Sequence, residues 1–430
     1  MLPESRSVDG IFPVPKLRID SEDIVRFSEE FQGFHSQFAD CFSREEPRAN
    51  FARYMAGQMS QLERKSVEPM ALNLENGAVR SMQHFISNVA WDESRLISRY
   101  HGMVSEDMGD DQGVLIFDES GFVKKGGDSA GVARQYCGTI GKVENCQVGV
   151  FASYASRHGY CLLDQRLFIP EKWFGDDYEH RRRKCAVPTD LTFRTKPQLA
   201  VEMLDQIVQE QTIPFRYITA DTVYGVSPEF LDAAESVPGA IYMVSVPRDT
   251  LCFVQRPLMT EKTYRYGGTQ RKKRVLEQGA SKPVAFEKLA AGTNDYFWYR
   301  RKVSEGTKGP ITYEFMKKQI VIARDGKPDR RVWLIVRRPI NGDPSPYAYF
   351  ISNAPRSTRL KTFVWLSGIR WAIEQCFEEA KTDLGMDHYE VRKFPAWRHH
   401  MITTMLAHFF LWHMRIRLGE KSTSHYGVAA

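Results

Sequence analysis

A chain of 430 residues exceeds one ordinary core, so two or three domains are expected. Its 42% hydrophobic and 26% charged residues give a soluble globular balance, and no uncharged apolar run approaches the roughly 18 residues of a bilayer crossing, which argues against a membrane protein. Seven cysteines without a Cys-x-x-Cys pair argue against a zinc ribbon or disulfide scaffold and predict reduced, mostly buried thiols in a cytoplasmic protein.

Residues 1–105 read as helical. Ser21 is placed to cap a helix carrying Ile24, Phe27, Phe31 and Phe34 at three- and four-residue spacing. Further helices are expected over Phe51 to Leu62, Gly77 to Phe85 and Asp92 to Tyr100. No basic patch followed by an apolar stretch opens the chain, so no signal peptide is expected. The texture changes at Gly113. Val114 to Phe117 is a short apolar run ending in Asp118-Glu-Ser-Gly121, the pattern of a buried strand delivering a carboxylate at its end. Val148 to Tyr154 and Tyr160 to Ile169 predict two strands joined by a turn over Ser156 to Gly159. A helix over Pro197 to Gln211 follows, then a strand over Phe215 to Thr219 leading into Ala220-Asp221-Thr-Val-Tyr-Gly225, then a strand over Ile241 to Val246. Strand-like pieces recur at Tyr296 to Lys302, Tyr313 to Ala323, Arg331 to Arg337 and Tyr347 to Ser352. One long helix is expected over Leu360 to Leu384, and an amphipathic helix over Trp397 to Leu418.

The charge is segregated. Pro247 to Pro346 holds 22 Lys/Arg against 10 Asp/Glu, whereas residues 1–100 hold 12 against 15. So concentrated a cationic segment points to a polyanionic partner, most commonly nucleic acid.

Asp118 and Asp221 each follow an apolar strand-like run, where open α/β sheets place their sites. A lone strand-end Asp is more often a turn former or helix cap, and two in one segment leave the readings balanced. The long helix adds a third element. Phe363, Leu366, Ile373, Phe377 and Leu384 form its apolar stripe, and Glu374 and Lys381 lie about 40° and about 20° around from Arg370. The three charged residues form one row bordering that stripe. A solvated i,i+4 pair is the common case; a border position also fits a helix edge over a cleft. His399, His400, His408 and His413 fall on a helix rich in Trp, Phe and Met, where packing is favoured over metal binding. Gly138-Thr-Ile-Gly141-Lys142 lacks phosphate-loop spacing, and no Gly-x-Ser-x-Gly or His-Glu-x-x-His segment occurs.

Arg370-Trp-Ala-Ile-Glu374, continued by Phe377 and Lys381-Thr-Asp-Leu-Gly-Met386, resembles the Arg-x3-Glu-x6-Lys signature of insertion-sequence DDE transposases. Phe117-Asp118-Glu-Ser-Gly-Phe-Val-Lys-Lys-Gly126 and Thr219-Ala-Asp221-Thr-Val-Tyr-Gly225 resemble that group's first and second aspartate blocks, most closely in its seven-oh-one family of the four-like clan. Ser367 departs from the tyrosine that many relatives carry three residues before the arginine. The resemblance covers about 110 to 390. It implies an α/β fold with an RNase H-like mixed sheet, a β-rich insertion and a preceding all-α domain. The expected division is 1–105 helical and DNA-end-binding, 106–246 and 347–395 catalytic, 247–346 basic insertion, and 396–430 C-terminal helix and tail.

Implied with it are Asp118, Asp221 and Glu374 as catalytic carboxylates holding two Mg²⁺ ions, Mn²⁺ substituting, with Asp118 bridging the pair. Arg370 and Lys381, with Lys124 and Lys125, are expected to hold phosphates near the scissile bond. Arg271, Lys272, Lys273, Arg274, Arg300 and Arg301 are candidates for backbone contacts. Trp298 and Trp333 are candidates for stacking on an extruded base, although a packed strand position is the commoner fate of such a residue. The expected partners are double-stranded transposon-end and target DNA and a second copy of the chain in a synaptic homodimer. The expected location is a prokaryotic cytoplasm, at the nucleoid. Two alternatives stand beside this one: an RNase H-like DNA nuclease without strand transfer, and a domesticated, non-catalytic DNA-binding protein.

Overall fold

The computed structural model describes residues 21–74, 77–266, 269–306, 309–340 and 346–424. They form a mixed α/β protein of two compact units, one running up to Arg216 and resuming at Ile369, the other spanning Tyr217–Gly368.

The first unit opens with helices Ser21–Ser36, Glu45–Met59, Val67–Asn73, Val79–Asn88 and Glu93–Met108. The spacing of Phe27, Phe31 and Phe34 puts all three on one helix face, and each ring lies 5.1–5.4 Å from that of Phe410. The expected Ser21 cap and the Ile24 side chain lie outside the described residues. Four strands follow: β1 (Val114–Val123), β2 (Ala133–Cys137), β3 (Lys142–Ser156) and β4 (Gly159–Phe168). β3, fifteen residues long, pairs antiparallel with each of the others. The turn expected over Ser156 to Gly159 joins β3 to β4. At Gly159 a Cβ would come within 2.8 Å of the Trp412 ring. β1 runs further than its apolar opening implies. Its pairing with β3 continues to Val123 opposite Cys146, so Asp118 sits mid-strand opposite Phe151. The polar Asp-Glu-Ser-Gly run looks like a strand end; the ladder nonetheless holds it, because its backbone groups find partners on β3.

Helix Lys196–Glu210 covers part of the sheet formed by β3 and β4. Its start carries a capping box, with the Thr195 hydroxyl and the Gln198 side chain each satisfying the other's backbone N–H, and Pro197 in the first turn. Leu199, Met203, Leu204 and Ile207 are buried.

The second unit begins with β5 (Tyr217–Ala220), parallel to β6 (Ile241–Val246) across helices Thr222–Gly225 and Pro228–Ser236. Then come β7 (Leu251–Phe253), β8 (Met259–Tyr266), β9 (Thr269–Leu276), β10 (Val284–Ala285), β11 (Tyr299–Gly306), β12 (Gly309–Arg324), β13 (Lys327–Arg338) and β14 (Ala348–Ser352). Its sheet is ordered β5-β6-β14-β13-β12-β7-β10, antiparallel after the first pair, with β11 also on β12. β8 and β9 form a separate two-stranded ribbon. The helix Leu360–Ile369 closes this stretch, and Trp371–Leu384 follows. The single helix expected over Leu360 to Leu384 is thus two. At Arg370 the ladder tightens, and the Ile373 N–H donates to the Arg370 carbonyl only three residues back at 3.3 Å.

The last helix, Phe394–Ser424, belongs to the first unit. It was expected to be amphipathic, but every residue from Met401 to Phe410 is buried. β4 packs on one side of it and the helices Glu45–Met59 and Val79–Asn88 on others, so no side faces water there. The hydroxyls of Thr403 and Thr404 are satisfied by carbonyls of the preceding turn. Among the described residues no helix is long and apolar enough to cross a membrane. All seven cysteines are free and buried.

The four histidines of this helix are buried. His400 donates to the Met386 carbonyl through Nε2 at 3.2 Å, which leaves Nδ1 to accept from the Tyr54 hydroxyl at 2.8 Å. Burial pushes its pKa down to about 3. The unfolded imidazole titrates near 6.5, so the unfolded chain takes up the proton first and stability falls as pH drops from about 6.5 toward 3. The loss from this residue is up to about 1.4 kcal/mol per pH unit. In urea unfolding at pH values between about 6.5 and 5, His400→Gln should flatten that slope; an unchanged slope would assign it elsewhere.

Candidate active site

Successive side chains of a strand point to opposite faces, which separates the neighbouring carboxylates of β1. Glu119 turns to the face of helix Lys196–Glu210, where Lys196 Nζ meets its Oε1 at 2.6 Å. Asp118 turns to the face that also carries Phe122, whose ring packs against Tyr389 and Trp397. On that side Arg370 Nη1 donates to Asp118 Oδ2 at 2.6 Å, and Arg370 Nη2 reaches Glu374 Oε1 at 2.7 Å. One planar guanidinium therefore joins the two carboxylates, each held by a different nitrogen. The other Asp118 oxygen accepts from the Glu119 N–H at 2.8 Å. The Asp118 side chain is 13% exposed, Arg370 33% and Glu374 55%, so the cluster grades from buried to open.

Lys381 lies on the same side of the first unit's sheet. Its Nζ donates to Thr139 Oγ1 at 3.0 Å and toward the Gly121 carbonyl at 3.5 Å, over the Phe122 ring, and burial lowers its pKa. Lys124 sits with Nζ 3.4 Å from the centre of the Tyr389 ring and donates to the Tyr389 carbonyl at 3.1 Å. Burial pushes its pKa down to about 8. The ammonium heads of both lysines are thus held by protein partners, whereas Lys125 is exposed.

Asp221 belongs to the second unit. It caps helix Thr222–Gly225, its Oδ1 accepting from the Val223 N–H at 2.9 Å. Tyr224 is buried against Phe230, and Gly225 passes so close to β6 that a Cβ would lie 1.9 Å from the Ser245 carbonyl oxygen. The Asp-Thr-Val-Tyr-Gly run therefore combines cap, anchor and obligatory glycine.

Arg271, Lys272, Lys273 and Arg274 are exposed on β9, and Arg300 and Arg301 on β11. Trp298 is buried, with the Arg338 guanidinium 4.1 Å from its ring centre. Trp333 donates to the Ala354 carbonyl at 3.1 Å and has Lys317 over its ring. Both indoles pack within the second unit. Two partners went unread in the sequence. Lys196 occupies Glu119, and Glu379 accepts from Tyr160 at 2.7 Å while pairing with His408 at 2.9 Å. Burial alone would raise the Glu379 pKa; His408 and Tyr160 outweigh it and lower it. No motif flags either, because each partner is set by the fold.

Carboxylate oxygens are the donors that hard divalent cations take, so Asp118 and Glu374 fit such an ion. In this structure the cation between them is Arg370. Among the described residues no three His, Cys, Asp or Glu side chains are gathered as a metal site.

The DDE superfamily endonuclease family matches residues 37–310, a span that includes Asp118 and Asp221 and ends ahead of Glu374. The chain belongs to this family, whose members are generally dependent on divalent metals. It is 23% identical over 372 residues, 86% of its own length and 83% of the relative's, to a protein of Microchaete diplosiphon described as a probable transposase for insertion sequence element IS701. It also aligns with a piggyBac transposase solved as a synaptic complex with hairpin DNA, at 8% identity and a TM-score of 0.41, over 93% of this chain and 78% of that one.

The exposure gradient predicts unequal couplings. Double-mutant cycles in urea should give about 1–2 kcal/mol for the shielded Arg370–Asp118 pair. The open, i,i+4 Arg370–Glu374 pair should give about 0.5 kcal/mol. Equal or reversed couplings would contradict the geometry.

Proposed function

We propose that this chain is a DNA transposase that cuts at the terminal inverted repeats of an insertion sequence and joins the freed 3′-OH ends to target DNA. The observation that carries this reading is the meeting of Asp118 and Glu374 at one guanidinium in a member of the DDE superfamily endonuclease family. The likeness to a probable insertion-sequence transposase over most of both chains supports the link to an element.

Asp118, Asp221 and Glu374 are the residues that would hold Mg²⁺, with Mn²⁺ as a substitute. Two such ions, when bound, supply activation of the attacking oxygen and stabilisation of the leaving one. The protein's own part is positioning. β1 presents Asp118 toward the Glu374 helix and turns Glu119 away, so one of two neighbouring carboxylates faces the reaction. Arg370, one third exposed and with donors in a planar fork, is shaped to take a phosphate oxygen beside those carboxylates. Lys125 adds an exposed charge on the loop after β1. Lys381 and Lys124 brace the same region through Thr139 and Tyr389.

In this reading the fold is RNase H-like, 106–246 and 347–395 form the catalytic domain, and 247–346 is an inserted basic segment that attracts duplex DNA. Residues 1–105 help to bind the ends, and two copies act together at synapsis.

Mg²⁺-dependent cutting of a labelled duplex carrying the element's own end is the test. Glu374→Gln should lower the cutting rate by roughly two orders of magnitude or more while duplex binding persists. Undiminished cutting by that variant would end the assignment. Cutting without transfer of the 3′ end to a second duplex would leave a nuclease.

A further inference from the structure

The ribbon formed by β8 and β9 is built unlike the sheet beside it in sequence. Among the described residues its strands pair only with each other, and the side chains of Glu261–Arg265 and Gln270–Arg274 are exposed, so both faces meet solvent there. A two-stranded ribbon with no apolar face is marginally stable in isolation. Something other than a core must account for its composition.

The register sorts its charges. Cross-strand partners share a face, and alternate residues along a strand lie on opposite faces. Lys262 lies opposite Lys273 and Tyr264 opposite Arg271, so one face presents Lys262, Tyr264, Arg271 and Lys273. Glu261 lies opposite Arg274, Thr263 opposite Lys272 and Arg265 opposite Gln270, which makes up the other face. That second face contains its own carboxylate, and Glu261 pairs with Lys272 at 3.8 Å. Among the described side chains of its exposed stretch, the first face carries three cations and the Tyr264 ring, with no acidic residue. Two of those cations, Lys262 and Lys273, are direct cross-strand partners, an arrangement that destabilises a free ribbon.

A like-charge pair on an exposed ribbon is relieved by a polyanion. The major groove of duplex DNA admits a two-stranded ribbon, and its phosphates line both rims. Resting on the DNA-directed activity proposed above, we propose that the ribbon docks in the groove of duplex DNA through the face of Lys262, Tyr264, Arg271 and Lys273. The opposite face, with Arg265, Lys272 and Arg274, turns away from the duplex. The run Arg271-Lys-Lys-Arg274 is thereby divided into alternate residues with different tasks.

Two charge-matched variants of the full chain test this. Lys262→Gln/Arg271→Gln/Lys273→Gln removes three cations from one face, and Arg265→Gln/Lys272→Gln/Arg274→Gln removes three from the other. Binding of a fluorescent mixed-sequence duplex is followed across a salt titration, with thermal unfolding to verify that both variants fold. The first variant should weaken binding on the order of a hundredfold at about 0.1 M salt and lower the slope of log K against log salt by about 2 to 3. The second should lose less than about tenfold and keep its slope within about one. Equal losses from the two faces, with the parent binding normally, would overturn the face assignment and leave the proposed activity standing. Equal competition by single-stranded DNA of the same length would overturn the groove. A parent chain that binds no duplex would overturn both readings.

Discussion

The first unit depends on burying one polar helix. Phe394–Ser424 carries Trp397, Phe409 and Phe410 into the interior, but it also carries four histidines and two threonines. Buried polar groups cost stability unless each finds a partner. For the histidines these partners come from different elements. His400 takes Tyr54 from the second helix, and His399 stacks at 3.9 Å on Trp91 and donates to Ile86 of the fourth. His408 takes Glu379 from the helix Trp371–Leu384, and His413 takes Asp107 from the fifth helix. A helix with an apolar surface alone can slide or rotate among neighbours of similar shape. These contacts allow one register, because a shift by one turn would break several of them together.

That register reaches the carboxylates. His408 holds Glu379, five residues along the helix from Glu374, and Tyr160 of β4 holds the same carboxylate from the sheet side. The helix is thereby fixed in rotation as well as position, and Arg370 and Glu374 at its start face Asp118. The site needs two independent choices to agree: the alternation of β1, which turns Asp118 and not Glu119 toward this helix, and the rotation of the helix itself. Neither choice lies in Asp118, Arg370 or Glu374 themselves.

The same division explains what could be read from the sequence. Strands with strong apolar runs were legible, and β6 matches its expected bounds residue for residue. The capped helix Lys196–Glu210 and the turn before Gly159 were legible because their signals are local. The row of Arg370, Glu374 and Lys381 was legible from helical phase, since the break at Arg370 leaves that residue in helical backbone with φ −59° and ψ −24°. Two of the differences share a cause. β1 was cut short at Asp118, and the last helix was given a solvent face, because polar residues were taken as exposed or terminal. In the fold Asp118, His399 and His400 are buried with partners from distant parts of the chain, and those pairings leave no local pattern. Lys124 and Lys381 illustrate the converse: basic residues that look free in sequence are spent on Tyr389 and Thr139.

The second unit applies the opposite economy to charge. In the first unit the buried histidines of the last helix are matched across elements, and Arg330 in the second is similarly matched by Asp232, Glu235 and Asp329. Among its described residues the β8–β9 ribbon has one such match, the 3.8 Å contact of Glu261 with Lys272. Among the described side chains, direct Lys–Lys opposition raises the energy of the folded ribbon, and the exposed stretch of Glu261–Arg265 and Gln270–Arg274 has no apolar residue to compensate apart from the Tyr264 ring. The proposed docking places the compensation for that cost outside the chain. In the docking proposed above, the phosphates of a duplex are what would supply it.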